Sequence, residues 1–285
     1  STPLYSSAAS DVYKRQIEAL SGGAVWLLTE TEGAIRIDTN PEDYSLTSQW
    51  YSAQSGQFSA TRVFGVYEDL LGNEWILSDN GLGMLTAGQT TPTSYFVDAA
   101  EREKKGGQAF YSCLEYNSEI YFGSDNGRVW CYQKENGQFQ LQNLPASSRI
   151  VSINSVEGNE LIFTTAKDGF FSYQPKTKAI EHFPASRFPN ASIHSVYVDK
   201  ASEVWFEQHI PGTVVHFNPR TRILKQEKVP VEPTSTDRSR PAFHIHEDIN
   251  GVLWVHPYGG GFSYFDRKSN SLHPFYNSLS GSDWR

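Results

Sequence analysis

Two imidazoles and two carboxylates crowd one short stretch of this 285-residue chain, His244-Ile245-His246-Glu247-Asp248. On an extended strand, alternation puts His244, His246 and Asp248 on one face. Two imidazoles and a carboxylate are reasonable ligands for a transition metal. A structural role competes with that assignment. Glu247-Asp248 recurs as Glu68-Asp69, each time just before a tight glycine-containing turn whose amides an aspartate can cap. No metal and no cofactor are therefore assigned. No catalytic residue is assigned either, because the chain has no P-loop, His-Glu-x-x-His, Cys-x-x-Cys or Gly-x-Ser-x-Gly pattern.

The Glu-Asp pair belongs to a repeat that runs the length of the chain. Its clearest copies are Tyr67-Glu-Asp-Leu-Leu-Gly-Asn-Glu-Trp75 and His246-Glu-Asp-Ile-Asn-Gly-Val-Leu-Trp254. Aligned on the tryptophan, six copies fall at Trp26, Trp75, Ile120, Leu161, Trp205 and Trp254, spaced 41 to 49 residues apart. A glycine follows six to eight residues later in each: Gly33, Gly81, Gly127, Gly169, Gly212 and Gly261. Then come a short apolar strand, a polar turn such as Pro-Lys-Thr-Lys at 175–178 or Pro-Arg-Thr-Arg at 219–222, and a fourth strand such as Ile180–Phe183 or Leu272–Phe275. Each repeat thus reads as four short strands joined by tight turns.

A lone four-stranded sheet cannot bury both of its faces, whereas such sheets stacked around an axis can. The fold expected is all-β: a β-propeller of four-stranded antiparallel blades, six repeats of a seven-bladed ring, forming one domain over residues 17–285. The blades are placed at 17–62, 63–108, 109–149, 150–190, 191–240 and 241–285. The strand-two tryptophans are wedges between blades rather than ligand residues. Cys113 and Cys131 fall on strands one and three of one blade, about 9–10 Å apart, beyond the roughly 7 Å a disulfide tolerates. Free, buried, inert thiols are expected. Residues 1–16 match no repeat and are set aside as a non-native or disordered leader. Asn277–Gly281 reads as a connection into a further repeat, so the chain is read as a fragment of a longer protein.

Net charge is −8 with no Lys/Arg-rich run, which speaks against nucleic acid as a partner. No apolar run reaches about 18 residues, so no membrane contact is expected of this segment. Asn190-Ala-Ser192 is a formal glycosylation sequon and carries little weight.

In a propeller, the strand two-to-three turns and the blade-to-blade connections share one face around the channel mouth, where ligands bind. The turns offer Thr29-Glu30, Asp79-Asn80, Asp125-Asn126, Lys167-Asp168, Gln208-His209 and Pro257-Tyr258. The connections offer Trp50-Tyr51, Arg62, Arg149, His194, Arg238 and Arg240. The ligand-binding candidates chosen from these are Trp50, Tyr51, Arg62, Asp79, Asn80, Asp125, Asn126, His209, Arg238, Arg240 and Tyr258. The mixture suits a sugar: aromatic faces stack on pyranose C–H surfaces, and carboxylates and amides pair with hydroxyls. Arginines would also suit an acidic sugar through bidentate pairing. The loop Glu101–Gly107 reads as exposed and carries no site.

The string Ile245-His-Glu-Asp-Ile-Asn-Gly-Val-Leu-Trp-Val-His-Pro-Tyr-Gly-Gly-Gly-Phe-Ser-Tyr-Phe-Asp266 closely resembles the two-component regulator propeller repeat, with His256-Pro257 in place of the usual Gly-Thr. The copy at 66–85 fits as well, and the copies centred on Ile120 and Leu161 fit in outline. The Asp-x-x-Gly-x-x-Trp turn is also reminiscent of the sialidase Asp-box, itself a structural turn. The first resemblance implies the extracytoplasmic, periplasmic sensor of a hybrid histidine kinase of gut Bacteroidetes-like bacteria. Two seven-bladed propellers would precede a β-sandwich, a membrane helix and the kinase. The implied ligand is an oligosaccharide whose binding switches on polysaccharide utilisation, and the implied assembly is a homodimer. Two other readings stand beside it: a propeller enzyme acting on polysaccharides as a lyase or glycosidase, and a protein–protein scaffold.

Overall fold

The second strand of each repeat is a continuous apolar run, and its burial organises the sheet around it. A computed structural model of the chain describes residues 14–29, 31–97, 109–157, 159–190, 192–208, 213–228, 243–257 and 262–275. Six four-stranded antiparallel sheets are present among them. The first is β1 (Lys14–Ala19), β2 (Val25–Thr29), β3 (Ala34–Thr39) and β4 (Leu46–Tyr51). The second is β5 (Val63–Glu68), β6 (Glu74–Ser78), β7 (Gly81–Leu85) and β8 (Thr93–Tyr95). The third is β9 (Phe110–Tyr116), β10 (Glu119–Ser124), β11 (Arg128–Gln133) and β12 (Gln138–Asn143). The fourth is β13 (Ile150–Val156), β14 (Glu160–Thr165), β15 (Phe170–Gln174) and β16 (Ala179–Phe183). The fifth is β17 (Ile193–Val198), β18 (Val204–Gln208), β19 (Thr213–Asn218) and β20 (Ile223–Lys228). The sixth is β21 (Phe243–Glu247), β22 (Leu253–Pro257), β23 (Phe262–Asp266) and β24 (Ser271–Phe275). Strands pair in sequence order throughout, the up-and-down pattern of a propeller blade.

Every residue of β14 and β18 is buried, whereas β12 and β20 are mostly exposed or half-exposed. Burial therefore falls from the second strand to the fourth. The outermost β24 tolerates Pro274 because an edge strand has one side free of ladder bonds. Trp26, Trp75 and Trp205 are fully buried, as wedges between blades must be. Trp75 packs 4.9 Å from Phe122 and 4.9 Å from Tyr132 of the following blade, and Trp205 lies 4.8 Å from Phe265 of its following blade.

The Glu-Asp pair divides its labour. The aspartate closes its own blade. Asp248 accepts the Asn250 and Val252 N–H groups at 2.9 Å each and the Trp254 indole N–H at 3.0 Å. Asp69 does the same for Leu71, Asn73 and Trp75, and Asp199 for Ala201, Glu203 and Trp205. The first blade has Leu20 at that position, and there the Trp26 indole donates instead to Glu74 of the next blade, at 2.8 Å. The glutamate reaches the preceding blade. Glu68 accepts the Ser21 N–H at 2.6 Å and Glu247 the Lys200 N–H at 2.6 Å; Glu115, followed by Tyr116 rather than an aspartate, accepts the Leu70 N–H at 2.9 Å in the same way.

The recurring glycine has a steric cause. Gly33, Gly81 and Gly169 all have positive φ, and a Cβ on any of them would collide with the carbonyl oxygen that ends strand four: Tyr51, Tyr95 and Phe183 respectively. Gly127 also has positive φ, while Gly212 and Gly261 lie outside the described residues.

Strand β1 begins at Lys14, inside the stretch set aside as leader, with Lys14 paired to Thr29 and Gln16 to Leu28. The described residues fall into two compact units that divide after Asn143, with three sheets in each. Cys113 on β9 and Cys131 on β11 are free thiols with β10 between them. Burial pushes the Cys113 thiol well above its ordinary value.

Candidate functional site

A bulge at the start of the inner strand recurs in five blades. The register slips between Lys14 and Gln16, Val63 and Gly65, Phe110 and Ser112, Ile150 and Ser152, and Ile193 and Ser195. The extra residue of the bulge is Arg15, Phe64, Tyr111, Val151 or His194 in turn. The residue before it is a buried anchor in four of them, Val63, Phe110, Ile150 and Ile193. A bulge of this kind re-aims a side chain at the rim of a sheet.

In the first unit the bulges bring aromatic residues together. Phe64 and Tyr111, on adjacent blades, have ring centroids 4.6 Å apart at a 43° tilt. The Arg62 guanidinium lies 5.2 Å from the Phe64 centroid, within cation–π range. The Tyr111 hydroxyl donates to Asp125 Oδ1 at 3.0 Å, which ties the platform to a two-to-three turn. Arg62, Phe64 and Tyr111 are each half-buried.

The backbone beneath Arg62 is pinned. Asp79 Oδ1 accepts the N–H groups of Thr61 and Arg62 at 3.1 Å each, and the Asp79 N–H donates to the Arg62 carbonyl at 3.0 Å. The Gly33 N–H donates to the Thr61 carbonyl at 2.8 Å. In the second unit Asp168 plays the part of Asp79, accepting the N–H groups of Ser147 and Ser148 at 3.1 and 2.8 Å. Burial works against the Asp168 charge, but hydrogen bonds from Ser148 and Ser147 outweigh it and hold the carboxyl below its usual range.

Deeper on the inner strands, Glu18 faces Gly65 and accepts the Gln16 amide at 3.0 Å. Burial pushes its carboxyl up, against the pull of the Val66 N–H.

The structure sorts the candidates. Arg62, Asp79, Asn80 and Asp125 gather at this end of the inner strands. Asp79 is a positioning residue, however, its carboxylate engaged by Thr61 and Arg62 rather than offered to a sugar. Asn80 donates to the Ser59 carbonyl. Asn126 is an exposed turn residue with φ of 56°, the left-handed conformation that suits asparagine. Trp50 and Tyr51 were expected in a connection, but they end β4, the outermost strand of their blade. Trp50 remains 37% exposed. Tyr51 is 1% exposed, packs 5.0 Å from Trp26, donates to the Thr90 carbonyl at 3.0 Å, and burial pushes its phenol up to about 12. His209, Arg238, Arg240 and Tyr258 lie outside the described residues, as do Glu30 and the 101–107 loop. Asp248 is held by its turn and Trp254, and the described residues contain no group of three or more metal-ligating side chains.

Phe64, Tyr111 and Glu18 were missed. For Phe64 and Tyr111 a signal was present: two consecutive large residues at the same phase, Val63-Phe64, Phe110-Tyr111, Ile150-Val151 and Ile193-His194, break the alternation of a regular strand.

No family model and no curated protein matches the sequence. Solved structures do match. The extracellular domain of the putative hybrid two component system BT4673 from B. thetaiotaomicron aligns with a TM-score of 0.63 at 16% identity, over 94% of this chain and 37% of that one. The corresponding domain of BT3049 aligns at 0.62 and 16%, over 94% of this chain and 35% of that one. Virginiamycin B lyase from Staphylococcus aureus aligns at 0.67 and 17%, over 95% of this chain and 86% of that one. The chain thus spans less than two-fifths of the length of the two sensor domains. At these identities the likeness is one of fold: this chain has the β-propeller architecture found in extracellular domains of hybrid two component systems and in a lyase.

Proposed function

We propose that this segment is the ligand-sensing propeller of an extracytoplasmic, periplasmic sensor in a hybrid two-component system, and that its ligand is an oligosaccharide whose binding regulates polysaccharide utilisation. The observation that carries the reading is the half-buried Arg62–Phe64–Tyr111–Asp125 cluster on the bulged inner strands. Two aromatic faces suit the C–H surface of a pyranose, and a carboxylate and a guanidinium beside them suit its hydroxyls. The likeness to extracellular sensor domains supports the same reading, as does the absence, among the described residues, of a helix long and apolar enough to cross a membrane. The sensor in full length acts as a homodimer in this proposal.

A thermal-shift series of the 285-residue chain against neutral and acidic oligosaccharides tests it. One class should raise the melting temperature in proportion to the logarithm of dose once binding saturates, and the sugar should be recovered intact. No shift in a folded sample would overturn the reading. The lyase neighbour keeps an enzyme in view. An enzyme would turn the bound sugar over instead of returning it intact.

A further inference from the structure

We infer that the Arg62 cluster takes an anionic sugar, with Arg62 binding its carboxylate and Phe64 and Tyr111 carrying its ring. The inference rests on the oligosaccharide reading above and narrows it.

Arg62 differs from the ion-paired arginines of the molecule. Arg36 is paired with Glu74 and Asp38, Arg220 with Glu157, Arg222 with Glu160 and Glu181, and Arg267 with Asp199 and Glu247. In a chain with 32 acidic and 24 basic residues, Arg62 and Arg128 are both half-buried without a carboxylate among the described residues, and it is Arg62 that lies over an aromatic ring of the cluster. Among the described residues none pairs with Arg62. The nearest acid in sequence register, Asp79, spends its oxygens on the Thr61 and Arg62 amides and the Thr61 hydroxyl.

Two further observations give the site its form. Arg62 Nε is shut from solvent without an acceptor, while the residue as a whole keeps part of its surface accessible. Phe64 underlies the guanidinium, and stacking of this kind holds the planar group in one orientation. The Asp79 clamp fixes the backbone under it, so little ordering is left to be done on binding. An oxyanion would complete the arrangement through charge-assisted hydrogen bonds, and the neighbouring Phe64–Tyr111 pair offers the attached ring an apolar surface.

The test uses uronic-acid trimers and their methyl esters, pairs that differ in the carboxylate charge and one methyl group per residue, titrated calorimetrically into the full chain. The acid is expected to bind at least about ten-fold tighter than its ester, with affinity falling as salt rises. Arg62→Met should erase the difference between acid and ester, and Arg62→Lys should restore part of it. Circular dichroism of both variants should match the parent. Equal binding of acid and ester, or tighter binding of neutral oligosaccharides, would overturn the inference while leaving the oligosaccharide reading standing. Failure of every oligosaccharide to bind would sink both. Preference for the acid that survives Arg62→Met would place the anion elsewhere and overturn the assignment of this residue.

Discussion

The carboxylate of Glu247 receives the backbone N–H of Lys200 at 2.6 Å, although the two residues are 47 positions apart and belong to successive blades. The same carboxylate meets Arg267 at 3.2 Å, and Arg267 in turn meets Asp199 of the earlier blade at 3.1 Å. The joint is thus a small ionic network rather than one bond. Glu247→Ala leaves a half-buried amide and an arginine short of partners, and should cost about 1–3 kcal/mol. A lower urea midpoint at constant slope would show it. Glu68→Ala, whose partner Ser21 is exposed, should cost less.

Trp75 is fully buried and Trp50 is 37% exposed, so the two tryptophans separate stability from surface. Trp75→Ala should cost about 3–5 kcal/mol and lower the melting temperature by many degrees. Trp50→Ala should leave it nearly unchanged. Equal losses would mean that the wedge is misassigned.

Acid should unfasten the turns. Burial raises the Asp69 carboxyl, but hydrogen bonds from Asn73, Trp75 and Leu71 outweigh it, so its folded value lies below the ordinary 3.8; Asp168 is likewise held low. A carboxyl lowered by folding contributes stability above its unfolded value and loses it as pH falls through the folded one. Chemical-denaturation midpoints should therefore hold from pH 7 to about 5 and fall below about 4. Asp168→Asn should flatten part of that acid limb and lower the plateau.

Glycine substitutions can separate backbone strain from collision. Gly56 and Gly169 both have positive φ, but a Cβ on Gly56 meets open space while one on Gly169 meets the Phe183 carbonyl and the Ala185 amide. Gly56→Ala should cost about 1–2 kcal/mol, the price of left-handed backbone alone. Gly169→Ala should cost clearly more, read as the difference between their thermal midpoints.

The thiols offer a kinetic probe. With burial raising the Cys113 thiol, native protein should react slowly with a thiol reagent at pH 8, and rapidly once denatured. Fast native labelling of both cysteines would contradict the placement of β9 and β11.

Much of this was legible in the chain. The tryptophan spacing, the glycine that follows and the Glu-Asp turn were enough to place four strands per repeat, because each is a local constraint repeated at one phase. Two things were not. Leu46–Tyr51 mixes polar and aromatic residues, as an edge strand can, so Trp50 and Tyr51 read as a connection until pairing to β3 placed them. The bulges leave only a faint trace, two consecutive large residues, which a strand buried on both faces also shows. Phe64 and Tyr111, the centre of the candidate site, therefore looked like ordinary strand positions.

The division of labour between adjacent acids has an evolutionary reading. A segment that carries both the latch for itself and the hook for the segment before it can be copied whole and still join up, provided the copy stays in phase. Where the latch is missing, as at Leu20, the Trp26 indole borrows Glu74 from its neighbour. Chains of this kind can lengthen by duplication without inventing a new joint.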